Sequence, residues 1–202
     1  MRLVLLGAPG AGKGTQGVVL GRRFGVPHIS SGDLLRRHVV SQSELGRRLG
    51  TYLSRGELVP DDLVLAVIGD AIIAAMRTGG YILDGFPRTL AQAEQAYALA
   101  EPAGLAADAV VYLAVPDDEA RRRLAGREAD RTDDADPAVI ERRLRLFHAE
   151  TKPLLDFYAR RAILVTIDAV QSAETVSAAI FAALADREFP TAGRADGRGE
   201  PA

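Results

Sequence analysis

Apolar residues gather in five short runs, at positions 2–6, 27–29, 81–83, 109–115 and 162–167. Each is nearly continuous in Val, Ile and Leu rather than alternating, the pattern of strands covered on both faces. Between the runs lie stretches with helical period, at 14–24, 61–77, 90–100, 117–126 and 137–161, and a closing one at 173–187. Strand and helix taking turns in this way predicts βαβ units, and so a doubly wound α/β domain: a five-stranded parallel sheet with helices on both faces.

Two stretches depart from the plain alternation. Residues 30–59 read as two short helices where one crossover helix would suffice. Residues 127–136 are polar, with arginine and aspartate recurring and no apolar anchor. Segments with few apolar contacts are the ones free to move, so each is a candidate lid, although the second also fits an ordinary exposed loop. Residues 190–202, rich in Gly, Pro, Arg and Asp, are expected to be a disordered tail.

Composition narrows the chemistry. At 202 residues the chain suits one substantial domain carrying small inserts. With no cysteine it has no disulfide framework, thiolate zinc site or cysteine nucleophile. The balance of 25 basic and 27 acidic residues argues against a general polyanion-binding surface, and so against nucleic acid as a partner. The apolar start at residues 3–6 is cut off by Gly7, short of a secretory core of about 7–15 residues. The stretch 63–76 is interrupted by Gly69 and Asp70, well below the roughly 20 residues that span a bilayer. A soluble, cytoplasmic protein without membrane contact is the expectation.

The most informative segment is Gly7-Ala8-Pro9-Gly10-Ala11-Gly12-Lys13-Gly14-Thr15, directly after the first strand and at the start of a helix. That context suits a phosphate-binding loop. Glycines let successive N–H groups turn inward, and the helix N-terminus adds partial positive charge. Lys13, one of only two lysines, is placed to reach a nucleotide's β- and γ-phosphates. Gly14 stands where the general form has Ser or Thr, so magnesium coordination by a hydroxyl does not follow. A dinucleotide site is a poor alternative, because no acidic residue closes the second strand to hold a ribose. Guanine-reading switch proteins use an Asn-Lys-x-Asp element, which a chain lacking asparagine cannot have.

Further motifs follow in order: SSGDLLR at 30–36, GELVPDDL at 56–63, DGFPRTLAQA at 84–93 and RLAGR at 123–127. Together with GAPGAGKGTQ these resemble the adenylate kinase family over nearly the whole chain. The resemblance implies a P-loop NTPase-type core of residues 1–29, 60–125 and 138–189. It also implies an AMP-binding insert at 30–59 and a short lid at 126–137, lacking the length and cysteines of a zinc knuckle. The implied reaction is reversible, magnesium-dependent transfer of the γ-phosphoryl group of ATP to AMP, giving two ADP, by a monomer. Pyrimidine nucleoside monophosphate kinases share the architecture but carry asparagine where this chain has Thr89. A silent nucleotide-binding module is a third reading, opposed by an intact set of cations.

Site residues carry over by position. Gly10, Ala11, Gly12, Lys13, Gly14 and Thr15 would hold the ATP phosphates, with Arg127, and the backbone near Gln171 would meet its adenine. Arg36 and Arg88 would hold the AMP phosphate. Ser31 would contact AMP or cap the next helix. Gly85, Phe86, Pro87 and Gln92, with the backbone of Glu57, Leu58 and Val59, would surround the AMP base. Lys13, Arg88, Arg123, Arg127, Arg131 and Arg143 would cluster at the transferring phosphoryl, Arg131 and Arg143 also touching AMP. Arg142 and Arg145 flank Arg143, so that trio also fits a solvated helix face. Asp84 would act on Mg2+ through water. Transfer to a phosphate oxygen, already anionic, needs no general base, only alignment and charge screening, for which forked guanidiniums are well shaped.

Overall fold

The computed structural model describes residues 1–126, 136–185 and 187. Residues 127–135 of the expected 126–137 lid, including Arg127 and Arg131, and the tail at 190–202 lie outside them. The sheet is five-stranded and all parallel: β1 (Arg2–Gly7), β2 (His28–Ser30), β3 (Tyr81–Asp84), β4 (Ala109–Ala114) and β5 (Leu164–Asp168), in spatial order β2-β3-β1-β4-β5. β1 is central, with Leu3 opposite Ile82 on one side and Ala109 on the other.

Side chains alternate along each strand, so a central strand of unbroken apolar sequence feeds two cores. Leu3 and Leu5 face Leu20 of α1 (Lys13–Phe24) and Ile180 and Leu184 of α9 (Ala173–Ala185). Val4 and Leu6 face the opposite layer. There they join Ile68 of α4 (Asp61–Met76), Ala93 of α5 (Leu90–Ala100) and Leu154 and Phe157 of α8 (Leu154–Ala159). Burying each such leucine is worth about 1.5–3 kcal/mol. A third cluster ties Ala8, just after β1, to Leu124 of α6 (Asp117–Ala125) and Leu144 of α7 (Pro137–Leu146).

The insert between β2 and α4 is the expected helix pair, α2 (Ser31–Val40) and α3 (Glu44–Ser54). Two other expectations are corrected. The single helix at 137–161 is broken: α7 gives way to a π-helical turn, Phe147–Thr151, and α8 begins only after Pro153. Lys152 N–H bonds five residues back to Phe147 O at 2.8 Å, and Pro153 has no N–H with which to continue the α-ladder. The fifth strand starts two residues late, because Ala162 closes a turn with φ +56° and its N–H on Ala159 O. That strand alternates rather than running apolar throughout, as suits an edge strand: Val165 and Ile167 are buried while Thr166 and Asp168 are exposed.

Candidate active site

Strand order reverses at β1, so a crevice opens at the carboxyl end of the sheet beside the β1–α1 loop. The loop is shaped by close packing. Gly10 has φ +86°, and a Cβ there would lie 2.7 Å from Ala120 O of α6. α1 opens at Lys13 with Gly12 as N-cap and no side chain capping it, which leaves its first N–H groups directed at the crevice. Lys13 Nζ arches back over the loop, donating to Gly7 O at 2.8 Å and Ala8 O at 3.0 Å.

Three cavities follow one another along the crevice and share walls. The middle one, an open cleft of about 1000 Å³, is lined by Gly10, Gly12, Lys13 and Gly14 on one side. Arg36, Asp84, Pro87, Arg88, Arg143 and Thr151 line the other. Arg88 is held at its backbone by two side chains. Its N–H donates to Gln92 Oε1 at 2.7 Å, and its carbonyl accepts from Thr151 Oγ1 at 2.8 Å. Its own Nε donates to Gly85 O at 2.8 Å. Protein packed around the guanidinium pushes its pKa below the ordinary arginine value. The nearby Arg143 and Arg36 push the same way, and Asp84 only partly opposes them. Like charges crowded at the edge of a cleft are relieved by a polyanion.

Of the three arginines on α7, Arg142 pairs with Glu57 at 3.0 Å, Arg145 is exposed, and Arg143 turns to the cleft. Arg143 is thus the member of that trio that lines the cleft. Arg36 pairs with Asp33, which lines the same cleft. Asp84 is buried at the end of β3, its Oδ2 3.9 Å from His28 Nε2. Among the described residues no cluster of three or more potential metal ligands exists. One carboxylate beside a phosphate cradle fits Mg2+, which takes most of its ligands from substrate phosphates and water.

The smallest cavity shares Leu58, Gly85 and Arg88 with the middle cleft and adds Ser31, Leu35, Val59, Val64 and Gln92. Ser31 does not cap α2. Ser30 does, its Oγ accepting from Asp33 N–H at 3.3 Å, and this leaves Ser31 as the first helical residue. Ser31 Oγ is buried at this cavity without a hydrogen-bond partner. An unsatisfied buried hydroxyl costs about 1–3 kcal/mol, so a ligand that supplies a partner recovers it. Gly85 has φ +81°, and a Cβ would stand 2.5 Å from that hydroxyl. Thr89 caps α5 by accepting from Gln92 N–H, which sets Gln92 one turn inside the helix. Three residues expected around the AMP base do not line this cavity. Pro87 lines the middle cleft instead, Phe86 packs into the core, and Glu57, expected to contribute backbone, turns its side chain toward Arg142.

The third cavity shares Gly10 and Gly12 with the cleft and is lined also by Ala11, Thr15, Arg123 and Gln171. Arg123 thus lies on the far side of the loop from Arg88 and Arg143. Its Nε donates to Glu119 Oε1 at 2.5 Å, and Nη2 donates to Ala169 O and Val170 O. Those two carbonyls sit beside Gln171, so the arginine buttresses the segment that walls this cavity. Gln16, also on that wall, is fixed by bonds to Ala173 O and from Ser177 Oγ.

Sequence reasoning missed Gln16, Glu119, Thr151 and Asp61, whose carboxylate accepts from Gln92 Nε2. Asp61 lies in the GELVPDDL motif and Gln16 closes GAPGAGKGTQ, while Glu119 stands one helical turn before Arg123. Thr151 alone of the four carried no signal, since its partner Arg88 is 63 residues away.

A sheet whose first strand runs into a glycine loop, facing a crowd of guanidiniums, defines a P-loop phosphotransferase. A sequence model described as adenylate kinase matches residues 5–163. The chain belongs to the adenylate kinase family. It is 45% identical to an adenylate kinase of Mycobacterium sp. (strain MCS), over 91% of this chain and 99% of that protein. With the adenylate kinase of Thermobifida fusca the identity is 40%, over 93% and 100%; with that of Caldicellulosiruptor bescii it is 38%, over 82% and 90%.

Proposed function

We propose that the chain catalyses reversible transfer of the γ-phosphoryl group of ATP to AMP, giving two ADP. The observation that carries this reading is the row of three joined cavities: a small pocket with an unpartnered hydroxyl, a cationic cleft, and a third pocket across the phosphate loop. Two nucleotides laid phosphate to phosphate need that order of surfaces.

In this reading AMP enters with its base beside Gln92, Leu58 and Val59 and its phosphate on Arg88 and Arg36. ATP lies along the loop from Arg123 and Gln171 to Lys13. Arg123 serves the base end of ATP rather than the transferring phosphoryl, because its guanidinium is held by Glu119 and the carbonyls of Ala169 and Val170. Arg143, Arg88 and Lys13 converge on the reacting phosphates. Arg127 and Arg131 join them on the strength of the family motif. Asp84 would help hold Mg2+ carried in on the ATP phosphates, and the ion would supply screening of their charge. An attacking phosphate oxygen needs no base, so the protein's part is to align the two anions, exclude water and stabilise the spreading charge. The insert and the lid are the pieces that would close, and the protein would work as a cytoplasmic monomer, apart from nucleic acid and membranes. Among the described residues no helix is long and apolar enough to cross a membrane.

The test is diphosphate formation from Mg-ATP with AMP, CMP, UMP and GMP in turn. Rapid ADP production with AMP alone is expected. Preference for CMP or UMP would move the chain to the pyrimidine kinases, and binding without turnover would make it a silent nucleotide-binding module.

A further inference from the structure

A glutamine amide presents a donor beside an acceptor, and half a turn of the amide exchanges them. Two contacts stop that turn in Gln92. Its Oε1 accepts the Arg88 N–H at 2.7 Å, and its Nε2 donates to Asp61 Oδ1. Asp61 is the first residue of α4 and solvent-exposed, 31 residues before Gln92. Each contact uses half of what its amide atom can offer, leaving one N–H and one lone-pair position for a ligand. Asp61 is a carboxylate and accepts only. It therefore matches the amide in one orientation and opposes the other.

We infer that Asp61 is a positioning residue that sets the base specificity of the acceptor pocket by holding the Gln92 amide in the orientation complementary to a 6-aminopurine. The inference rests on Gln92 contacting the acceptor base. An adenine edge shows a donor at N6 and an acceptor at N1, which meet the free lone pair and the free N–H of the amide. A 6-oxopurine reverses the pattern, with an acceptor at O6 and a donor at N1. To bind it, the amide would have to turn, setting its NH2 against the Arg88 N–H and its oxygen against the Asp61 carboxylate. Discrimination then comes from repulsion built into the protein side of the pocket. The Arg88 contact is backbone and cannot be substituted away, whereas the Asp61 contact can.

The experiment compares AMP with inosine monophosphate, scored both as acceptor and as competitive inhibitor against AMP, in the full chain with Mg-ATP. Asp61→Asn keeps the shape but can donate as well as accept, so it no longer opposes the turned amide, and only the Arg88 N–H still does. The ratio of AMP to inosine monophosphate use is expected to fall about tenfold, the factor that corresponds to about 1.4 kcal/mol. The KM for ATP should stay near wild type, because Asp61 does not line the third cavity. Asp61→Glu, still acceptor-only, should keep most of the ratio. A role confined to the N-terminus of α4 would alter the melting temperature and leave the ratio alone. Gln92→Ala separates the two levels of the argument. If it collapses the ratio while Asp61→Asn does not, the Asp61 inference is overturned and the base contact stands. If it leaves the ratio unchanged, Gln92 does not read the base and both fall.

Discussion

Replacing Gly85 by alanine probes the joint between the small cavity and the cationic cleft, since Gly85 lines both. Its φ of +81° is left-handed, and a Cβ in that conformation costs about 1–2 kcal/mol. The added carbon would also stand 2.5 Å from Ser31 Oγ and 3.3 Å from Arg88 Nη2, a local overpacking worth about 1–3 kcal/mol. The combined loss is about 2–5 kcal/mol, or roughly 5–15 °C in melting temperature for a domain of this size. Function should fail asymmetrically. The KM for AMP should rise at least about tenfold, since one displaced hydrogen-bonding group is worth about 1–3 kcal/mol. The KM for ATP should hold, because Gly85 is absent from the wall of the third cavity. Calorimetry and separate titrations of the two nucleotides read both effects. Adding Ser31→Gly to Gly85→Ala removes the overlap with Ser31 Oγ but neither the Arg88 contact nor the backbone strain, so it should recover part of the lost stability. The reasoning is refuted if Gly85→Ala leaves stability within about 0.5 kcal/mol of wild type, the range of ordinary surface changes. An equal weakening of AMP and ATP would refute it as well.

Three other substitutions test neighbouring parts. Lys13→Ala should abolish phosphoryl transfer while leaving the fold intact, with the loop carbonyls Gly7 O and Ala8 O losing the Nζ donor; near-normal turnover would remove the phosphate-loop assignment. Arg123→Ala should raise the KM for ATP while sparing that for AMP, and a collapse of kcat with normal ATP binding would return Arg123 to the reacting phosphates. Thr151→Val deletes the bond to Arg88 O and should cost about 1–2 kcal/mol of stability; AMP use should suffer more than ATP binding if that bond positions Arg88.

Much of this protein was legible one segment at a time. Residues 3–6 are apolar without a break, and only a strand covered on both faces accepts that, so the burial of β1 could be read locally, although its central place could not. The phosphate loop was equally plain, since a short run of glycines, one lysine and a helix start is self-contained. The paired helices of the insert followed from their own periodicity. Tertiary structure decided what depends on partners far along the chain. Ser30 and Ser31 are equivalent caps on paper, and the fold chose Ser30 by burying the Ser31 hydroxyl against the pocket. Arg142, Arg143 and Arg145 look alike in sequence until Glu57, 85 residues away, claims Arg142. Arg123 carries a family motif, yet three oxygens supplied by Glu119, Ala169 and Val170 settle where its guanidinium points. The break at Phe147–Thr151 brings Thr151 to the Arg88 carbonyl across 63 residues. Periodicity and turn chemistry are written in adjacent residues, so a sequence determines them alone. The aim of a polar side chain is set by whichever donor or acceptor the folded chain delivers to it, and that exists only once the sheet has formed.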